Sequence, residues 1–105
     1  MGYYALFYHV VDNFVERRAP FRALHLAHAQ HATEHDGLVL GGALADPADI
    51  ALIIFRSNSP DAAIKFANTD PYVINGLVKR WEVRPWNVVV GEHAETAGAS
   101  SKGVV

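Results

Sequence analysis

The sequence predicts an α+β domain of the ferredoxin-like class, with secondary structure in the order βαββαβ. Four segments rich in apolar, aromatic and β-branched residues alternate with two helix-forming segments and short turn sequences. With 105 residues, the chain is long enough for one hydrophobic core and too short for two. The βαββαβ order is the split βαβ pattern, in which a four-stranded sheet carries both helices on one face.

The first strand and the first helix are predicted from the amino-terminal third of the chain. Residues 3–11 are aromatic and β-branched and are followed by Asp12, which is typical of a strand that ends in a turn. Pro20 precedes the helix-forming residues 21–35, and proline is favoured at the first position of a helix. Gly37 marks the end of this helix.

The second and third strands follow directly. Residues 38–44 form the second predicted strand, and the paired glycines Gly41 and Gly42 within it predict a β-bulge or a close approach of another group to the backbone. Residues 51–55 are entirely apolar, which indicates a strand that is buried on both faces.

The second helix and the last strand complete the predicted pattern. Ser59 and Pro60 are typical of a helix start, and the helix is expected to run through residue 68. A short helical turn is predicted at residues 73–76 and the fourth strand at residues 81–90. We therefore expect one domain, residues 1–91. It is followed by a flexible tail, residues 92–105, which is rich in alanine, glycine and serine.

Composition excludes several functional classes. A net charge of −2 gives no basic surface for nucleic acid. The absence of cysteine excludes disulfides, thiolate metal sites and cysteine nucleophiles. The first residues lack the features of a secretory signal, and no apolar segment reaches the ~18 residues that a membrane-spanning helix needs. We expect a cytoplasmic protein that binds neither nucleic acid nor membranes.

Both faces of the predicted strands are apolar. In the first strand Leu6 and Tyr8 point to one face, whereas Ala5 and Phe7 point to the other. Two helices cover only one face of a sheet, and large exposed apolar patches are rare on monomers. A second copy of the same sheet is the simplest cover, so we predict a homodimer with a two-fold interface. The sequence leaves assembly beyond the dimer open.

Four of the six histidines lie on the first predicted helix. His25, His28, His31 and His35 fall within about 120° of one another when each residue turns the helix by about 100°. Spacings of three and four residues allow a metal site, but no further ligand at a comparable spacing completes it. A solvated or packed polar stripe is the favoured interpretation, and we predict neither a metal nor a cofactor.

His25 differs from the other three because apolar residues flank it and Arg22 precedes it by one turn. A histidine at the rim of an apolar interior can act as a general base when a carboxylate orients its ring. Asp70 is the candidate acid because it precedes Pro71 in a turn of restricted geometry. The alternative role of Asp70 is to cap the helical turn that follows it.

Four motifs also carry a family resemblance. They are Tyr-Tyr-Ala-Leu-Phe in the first strand, Arg22-x-x-His25-Leu26, Leu40-Gly41-Gly42-Ala43-Leu44 and Asp70-Pro71-Tyr72-Val73. In this order, over residues 3–91, they resemble the YciI-like (YCII-related) family. The resemblance implies the dimeric α/β-barrel form of the ferredoxin-like fold. It also implies a histidine and aspartate active site, which corresponds to His25 and Asp70.

The resemblance further implies a type of chemistry. The family is similar in fold to muconolactone isomerases, and one branch is linked to dehydrochlorination, which suggests proton abstraction next to a carbonyl or carboxylate group. We therefore predict a lyase, isomerase, dehydrochlorinase-like or hydrolytic enzyme that acts on a small carboxylate or lactone. His25 would accept the proton and Asp70 would orient the imidazole ring. The alternative is a non-catalytic ligand-binding or accessory domain.

Four further residues are predicted to bind the small-molecule ligand. They are Arg22, Gly41, Gly42 and Tyr72. The guanidinium group of Arg22 is suited to hold a substrate carboxylate through two parallel hydrogen bonds. The alternative for Arg22 is a surface salt bridge with Glu16 or Asp70.

Overall fold

The computed structural model describes residues 1–91, and the predicted flexible tail, residues 92–105, lies outside the described residues. The elements are β1 (Gly2–Val10), α1 (Phe14–Arg17), a 3-10 turn (Ala19–Phe21), α2 (Arg22–His35), β2 (Leu38–Ala43), β3 (Ile50–Ser57), α3 (Asp61–Thr69), α4 (Pro71–Ile74) and β4 (Val78–Trp86). Apart from the two four-residue helices α1 and α4, this is the predicted βαββαβ order. Within the described part of the chain, no helix is long and apolar enough to span a membrane.

The four strands form one antiparallel sheet in the order β2-β3-β1-β4. β1 lies inside the sheet and pairs with β3 on one side and with β4 on the other. Among the strands of residues 1–91, β2 lies at the edge of the sheet and pairs only with β3. This order follows from the connectivity, because each helix returns the chain across the sheet to a strand that is not adjacent to the preceding one.

The main hydrophobic core lies between the sheet and the helices. Leu6 and Tyr8 of β1 pack there with Phe55 of β3, as the alternation of the strands predicts. Phe66 of α3 and Ala32 of α2 are among the buried helical residues of this core. Leu6 and Phe55 are completely buried, so this face of the sheet is closed by the helices of the same chain.

A second, smaller apolar cluster lies on the opposite face of the sheet. Tyr3, Ala5 and Ile54 are its buried members, and Phe7 and Val88 pack against them. A shallow cavity of about 260 Å³ opens on this face. We call this surface the open face, because no helix within residues 1–91 covers it. The prediction that the strands are apolar on both faces is confirmed.

The last strand is displaced from its predicted position. It covers Val78–Trp86 instead of residues 81–90. Val78 pairs with Val10 at one end of β1, and Trp86 pairs with Tyr3 at the other. Because β1 begins at Gly2, the valines that follow Trp86 have no neighbouring strand with which to pair, whatever their β propensity.

The predicted bulge in β2 is also in the wrong place. The pairing register with β3 shifts between Leu38 and Leu40, so the irregularity lies at Val39. Gly41 and Gly42 pair regularly with Ile53 and Leu52. The two glycines therefore form neither a bulge nor a turn. Without side chains, they leave space beside the strand.

Candidate active site

His25 lies in the first turn of α2, and its imidazole ring is hydrogen-bonded to the carboxylate of Asp70. The Nδ1 atom of His25 is 2.8 Å from Oδ1 and 3.0 Å from Oδ2 of Asp70. The side chain of His25 is 17% exposed and that of Asp70 is fully buried. The structure thus brings together two residues that lie 45 positions apart in the chain.

The carboxylate of Asp70 contacts both the imidazole of His25 and the helical turn that follows it in the chain. Its Oδ1 atom accepts a hydrogen bond from the backbone N–H of Tyr72 at 2.9 Å, so it caps α4. Its Oδ2 atom accepts one from the hydroxyl of Tyr8 at 2.7 Å. Burial of a carboxylate is costly unless donors surround it, and these donors, together with His25, satisfy both oxygens. The side chain is therefore held in one orientation.

The hydrogen bond to Asp70 fixes the tautomer of His25. A carboxylate oxygen only accepts hydrogen bonds, so the Nδ1 atom of His25 carries the hydrogen that lies between the two groups. In the neutral ring the lone pair is then on Nε2. His25 therefore has the arrangement of a general base, with one nitrogen oriented by an acid and the other able to take a proton.

Aromatic rings hold the imidazole of His25 from its face and its edge. The ring of Tyr72 stacks on it, with 3.8 Å between the centroids and 4° between the planes. Phe66 approaches it edge-on at 6.4 Å. Phe14 in turn contacts Tyr72 edge-on at 5.5 Å. Such offset and edge contacts restrict ring rotation, so the orientation of His25 is set before any ligand enters.

Both tyrosines of the site are held in the neutral, protonated form. Burial raises the pKa of Tyr8, and the charge of Asp70 and the hydrogen bond to it act in the same direction. Burial also raises the pKa of Tyr72, an effect that the nearby charges of Arg18 and Arg22 oppose and that Asp70 reinforces. At neutral pH both hydroxyl groups are hydrogen-bond donors.

His25 lines a cavity of about 540 Å³ between α2 and the β2–β3 side of the sheet. All four residues predicted to bind the ligand also line it, namely Arg22, Gly41, Gly42 and Tyr72. Its walls are mostly apolar, with Leu38, Ala51, Ile53 and Phe66 among them. A largely apolar cavity with a few convergent polar groups is the usual form of a small-molecule site.

Tyr8, Phe14 and Arg18 are among the lining residues that were not predicted from the sequence. The sequence places Tyr8 only on the same face of the first strand as Leu6, and its contact with Asp70 spans 62 positions and has no local signal. Arg18 lies beside Arg17, and no pattern distinguishes which of the two faces inward.

The two arginines of the cavity, Arg18 and Arg22, have no acidic partner within residues 1–91. The alternative considered for Arg22, a salt bridge with Glu16 or Asp70, is therefore not formed. The guanidinium group of Arg18 lies over the ring of Phe14, 5.3 Å from its centroid. Both positive charges remain available to a ligand.

The other helix histidines lie outside this site. The Nε2 atom of His28 is hydrogen-bonded to the carbonyl oxygen of Phe66 at 3.0 Å, which ties α2 to α3. His31 and His35 stack on each other at 4.3 Å, and Nδ1 of His35 is hydrogen-bonded to the carbonyl oxygen of His31. Among the described residues, no group of three or more metal-ligating side chains is close enough to hold an ion.

Comparison with known sequences identifies the family. The family model of the YCII-related domain matches residues 1–87. The chain belongs to the YCII-related domain family. The resemblance seen in the four sequence motifs is thereby confirmed. No curated protein matches this YCII-related chain.

Solved structures show how widely the fold of the YCII-related chain occurs. It is similar to 5-chloro-2-hydroxyhydroquinone dehydrochlorinase (TftG) from Burkholderia phenoliruptrix, solved in complex with 2,5-dihydroxybenzoquinone, with a TM-score of 0.68 and 19% identity. That match covers 89% of this chain and 99% of the other. A NIPSNAP family protein from Agrobacterium tumefaciens has a TM-score of 0.54 at 11% identity, covering 90% and 96% of the two chains. A proposed antibiotic biosynthesis monooxygenase from Deinococcus radiodurans has a TM-score of 0.52 at 17% identity, covering 90% and 97%.

These neighbours confirm the fold class. The chain has the ferredoxin-like α+β fold of the dimeric α/β-barrel proteins. At identities below one fifth, the similarity extends to the fold alone, and function has to be argued from the site itself.

Proposed function

We propose that this YCII-related protein is a small-molecule enzyme in which His25 removes a proton from a carbon atom next to a carbonyl or carboxylate group. One observation supports this above the others: the oriented His25–Asp70 pair in the wall of a cavity large enough for a small organic molecule. The Nδ1–Oδ1 distance of 2.8 Å lies within the range expected for an acid that orients a catalytic histidine.

The proposed first step uses the free nitrogen of His25. The Nε2 lone pair takes the proton, and the electron pair of the broken C–H bond moves toward the carbonyl oxygen, which gives an enolate. The imidazolium that forms is stabilised by the adjacent carboxylate of Asp70, with which it is in direct contact. Tyr8 and the backbone N–H of Tyr72 hold that carboxylate in place throughout.

The enolate has two outcomes that balance without a cofactor. Return of the proton from His25 to another carbon gives an isomer of the substrate. In the second outcome, a leaving group on the neighbouring carbon departs with the electrons of its own bond, and the electron pair of the enolate forms a new double bond. The proton held by His25 then passes to water. The similarity in fold to a dehydrochlorinase supports the elimination outcome.

The ligand-binding residues surround the reacting position in this proposal. Arg22 lies one turn before His25 on α2, where its guanidinium group can hold a substrate carboxylate. The backbones of Gly41 and Gly42 in β2 line the cavity, and the missing side chain at Gly41 leaves room beside Ile53. The hydroxyl of Tyr72 is a donor within the same cavity.

We further propose that the protein works as a homodimer. The open face of the sheet, with Phe7, Leu52 and Trp86 around its shallow cavity, is apolar enough to require a cover. A second copy of the same face meets this requirement through a two-fold interface.

Replacement of His25 tests the proposed activity. In a screen of small keto acids and unsaturated lactones, His25→Ala should lower turnover of any accepted compound by at least about 100-fold, since a general base contributes 10²–10⁴ in rate. His31→Ala is the matched control, because His31 is exposed on the same helix and lies outside the cavity.

Two results of this screen argue against the proposal. Unchanged turnover in His25→Ala would exclude His25 as the base. Binding of a screened compound to the wild-type protein without conversion of any of them would favour the alternative, a ligand-binding domain.

A further inference from the structure

The cavity beside His25 carries charge of one sign. Its ionisable lining residues include Arg18, Arg22 and His25, and none of its lining residues is an aspartate or glutamate. Asp70, the carboxylate bonded to His25, is fully buried and already accepts hydrogen bonds from Tyr8, Tyr72 and His25. The positive charge in the cavity is therefore not neutralised within residues 1–91.

The positions of Arg18 and His25 are linked through a chain of ring contacts. The guanidinium of Arg18 lies over Phe14, Phe14 contacts the edge of Tyr72, and Tyr72 stacks on His25. Arg22 precedes His25 by three residues on α2, which is a rise of about 4.5 Å along a helix axis. Both arginines therefore belong to the end of the cavity where His25 lies.

Tyr72 adds a neutral donor to this end of the cavity. Its hydroxyl makes no hydrogen bond within the described residues, although its backbone N–H is bonded to Asp70. Burial raises the pKa of Tyr72, while the charges of Arg18 and Arg22 act in the opposite direction. All three side chains line the same cavity. The hydroxyl is protonated at neutral pH and is free to donate to a ligand.

We propose that Arg18, Arg22 and the Tyr72 hydroxyl form one anion-binding subsite, and that the cavity takes small organic anions with a largely apolar body. Two like charges four residues apart repel each other, and a bound anion between them relieves that repulsion. The apolar walls formed by Leu38, Ala51 and Ile53 suit the remainder of the ligand.

The subsite adds a substrate class to the proposed function. Its link to His25 rests on that proposed function. The subsite selects between the two substrate classes suggested by the sequence, since it favours a carboxylate over a neutral lactone. An anionic group held by the arginines would lie beside the carbon from which His25 takes the proton. Arg18, which the sequence motifs do not include, becomes a specificity-determining residue.

Binding measurements with three matched probes test the subsite without any turnover. The probes are benzoate, its neutral analogue benzamide, and the neutral lactone phthalide, each titrated into ¹⁵N-labelled protein and followed by NMR shifts. The wild-type protein should bind benzoate at least about tenfold more tightly than either neutral probe, because charge-assisted hydrogen bonds are about twice as strong as neutral ones. Arg18→Met, which keeps an apolar stem over Phe14, should lose this preference.

Two more variants serve as a control and as a partial rescue. Arg17→Met removes the same charge from an exposed neighbour that does not line the cavity, so it should bind benzoate as the wild-type protein does. Arg18→Lys keeps the charge without the forked donors and should recover part of the affinity. Benzamide binding as tight as that of benzoate in the wild-type protein, or unchanged benzoate affinity in a folded Arg18→Met protein, would overturn the subsite.

The result also separates the subsite from the proposed reaction. If benzoate binding depends on Arg18 while no compound is converted, the subsite stands and the proposed reaction fails. If conversion depends on His25 but the accepted compounds are neutral and insensitive to Arg18→Met, the reaction stands and the subsite is wrong.

Discussion

His25 is held by contacts of different kinds, and each has a separate physical origin. The hydrogen bond to Asp70 fixes which nitrogen carries the proton, and the stack on Tyr72 fixes the plane of the ring. Tyr8 acts one step further away, because its hydroxyl holds the Oδ2 atom of Asp70. Orientation of this kind reduces the reorganisation needed when charge develops during a reaction.

Tyr8→Phe should lower stability in a manner that depends on pH. Loss of a hydrogen bond to a buried carboxylate is expected to lower the free energy of unfolding by about 1.5–3 kcal/mol at pH 7. Because burial raises the pKa of Tyr8 in the folded protein, the unfolded chain releases this proton first as the pH rises above the ordinary value of 10.0. The wild-type protein therefore loses stability above that pH by up to about 1.4 kcal/mol per pH unit through Tyr8, whereas the variant does not.

Chemical denaturation of both proteins between pH 7 and about pH 11, a range that brackets the ordinary tyrosine pKa, measures this effect. The stability difference between wild type and Tyr8→Phe should shrink above pH 10. Curves that stay parallel over the whole range would show that Tyr8 is not kept protonated by its surroundings.

At the scale of elements, β2 shapes the cavity because its glycines have no side chains. A side chain at Gly41 would lie at ordinary contact distance, 3.6 Å from the side chain of Ile53 and from the carbonyl oxygen of Leu52. Gly41 pairs with Ile53, whose side chain belongs to the helix side of the sheet and lines the cavity. The backbone at Gly41 has no positive φ, so the fold itself does not require glycine there.

Gly41→Val should therefore reduce ligand binding without unfolding the protein. Valine is favoured in strands, and its side chain would occupy part of the cavity opposite His25. We expect at least about a fivefold loss of benzoate affinity with a midpoint of thermal unfolding near that of the wild type, since surface-accessible substitutions usually change stability by less than about 0.5 kcal/mol. Gly42→Val starts on the opposite face of the strand and should change the affinity less.

Benzoate affinity in Gly41→Val equal to that of the wild type would mean that the ligand does not occupy the space beside β2.

The sequence predicts most elements because their signals are local. The apolar strand around Ile53 and the helix that begins after Pro20 were located to within a few residues. α1, with four residues, is too short to show a helical period. The bounds of β4 depend on where its neighbour β1 begins and ends, and β4 itself carries no local signal for this pairing.

The candidate site was predictable only in part. Residue type and family motifs predict His25 and Asp70 as site residues, and the cavity lining includes each residue predicted to bind the ligand. Tyr8 and Arg18 were missed because their contributions depend on contacts between distant segments. The hydrogen bond from Tyr8 to Asp70 joins β1 to the start of α4 and could be recognised only once the sheet and helices were assembled.

At the scale of the whole molecule, the two faces of the sheet differ in what covers them. The helix side is closed by the chain itself, and the open face carries Phe7 and Leu52 around a shallow cavity. The same alternation of side chains along each strand that builds the core also produces this second apolar surface. The homodimer proposal is a consequence of this arrangement.

Leu52→Glu should convert the proposed dimer into a monomer. In a two-fold interface the two glutamates would face each other, so their charges would repel and would both lose contact with water. This would weaken the free energy of dimerisation by several kcal/mol. Sedimentation equilibrium should give the mass of two chains for the wild type and of one chain for the variant. Leu24→Glu, at a residue that is 61% exposed on α2, is the control and should remain dimeric.

A wild-type protein that sediments as a single chain would contradict the homodimer. It would leave the arrangement of His25, Asp70 and the cavity untouched, because all of these lie within one chain.

Removal of a carbon-bound proton by His25 is measured most directly by isotope exchange. The protein is incubated in D₂O with a panel of small keto acids, and NMR follows deuterium incorporation at the acidic carbon. We predict incorporation with the wild-type protein, at least about 100-fold faster than with His25→Gln, since the glutamine cannot accept the proton. Exchange at one and the same rate with wild type, His25→Gln and buffer alone would contradict the assignment of His25 as the base.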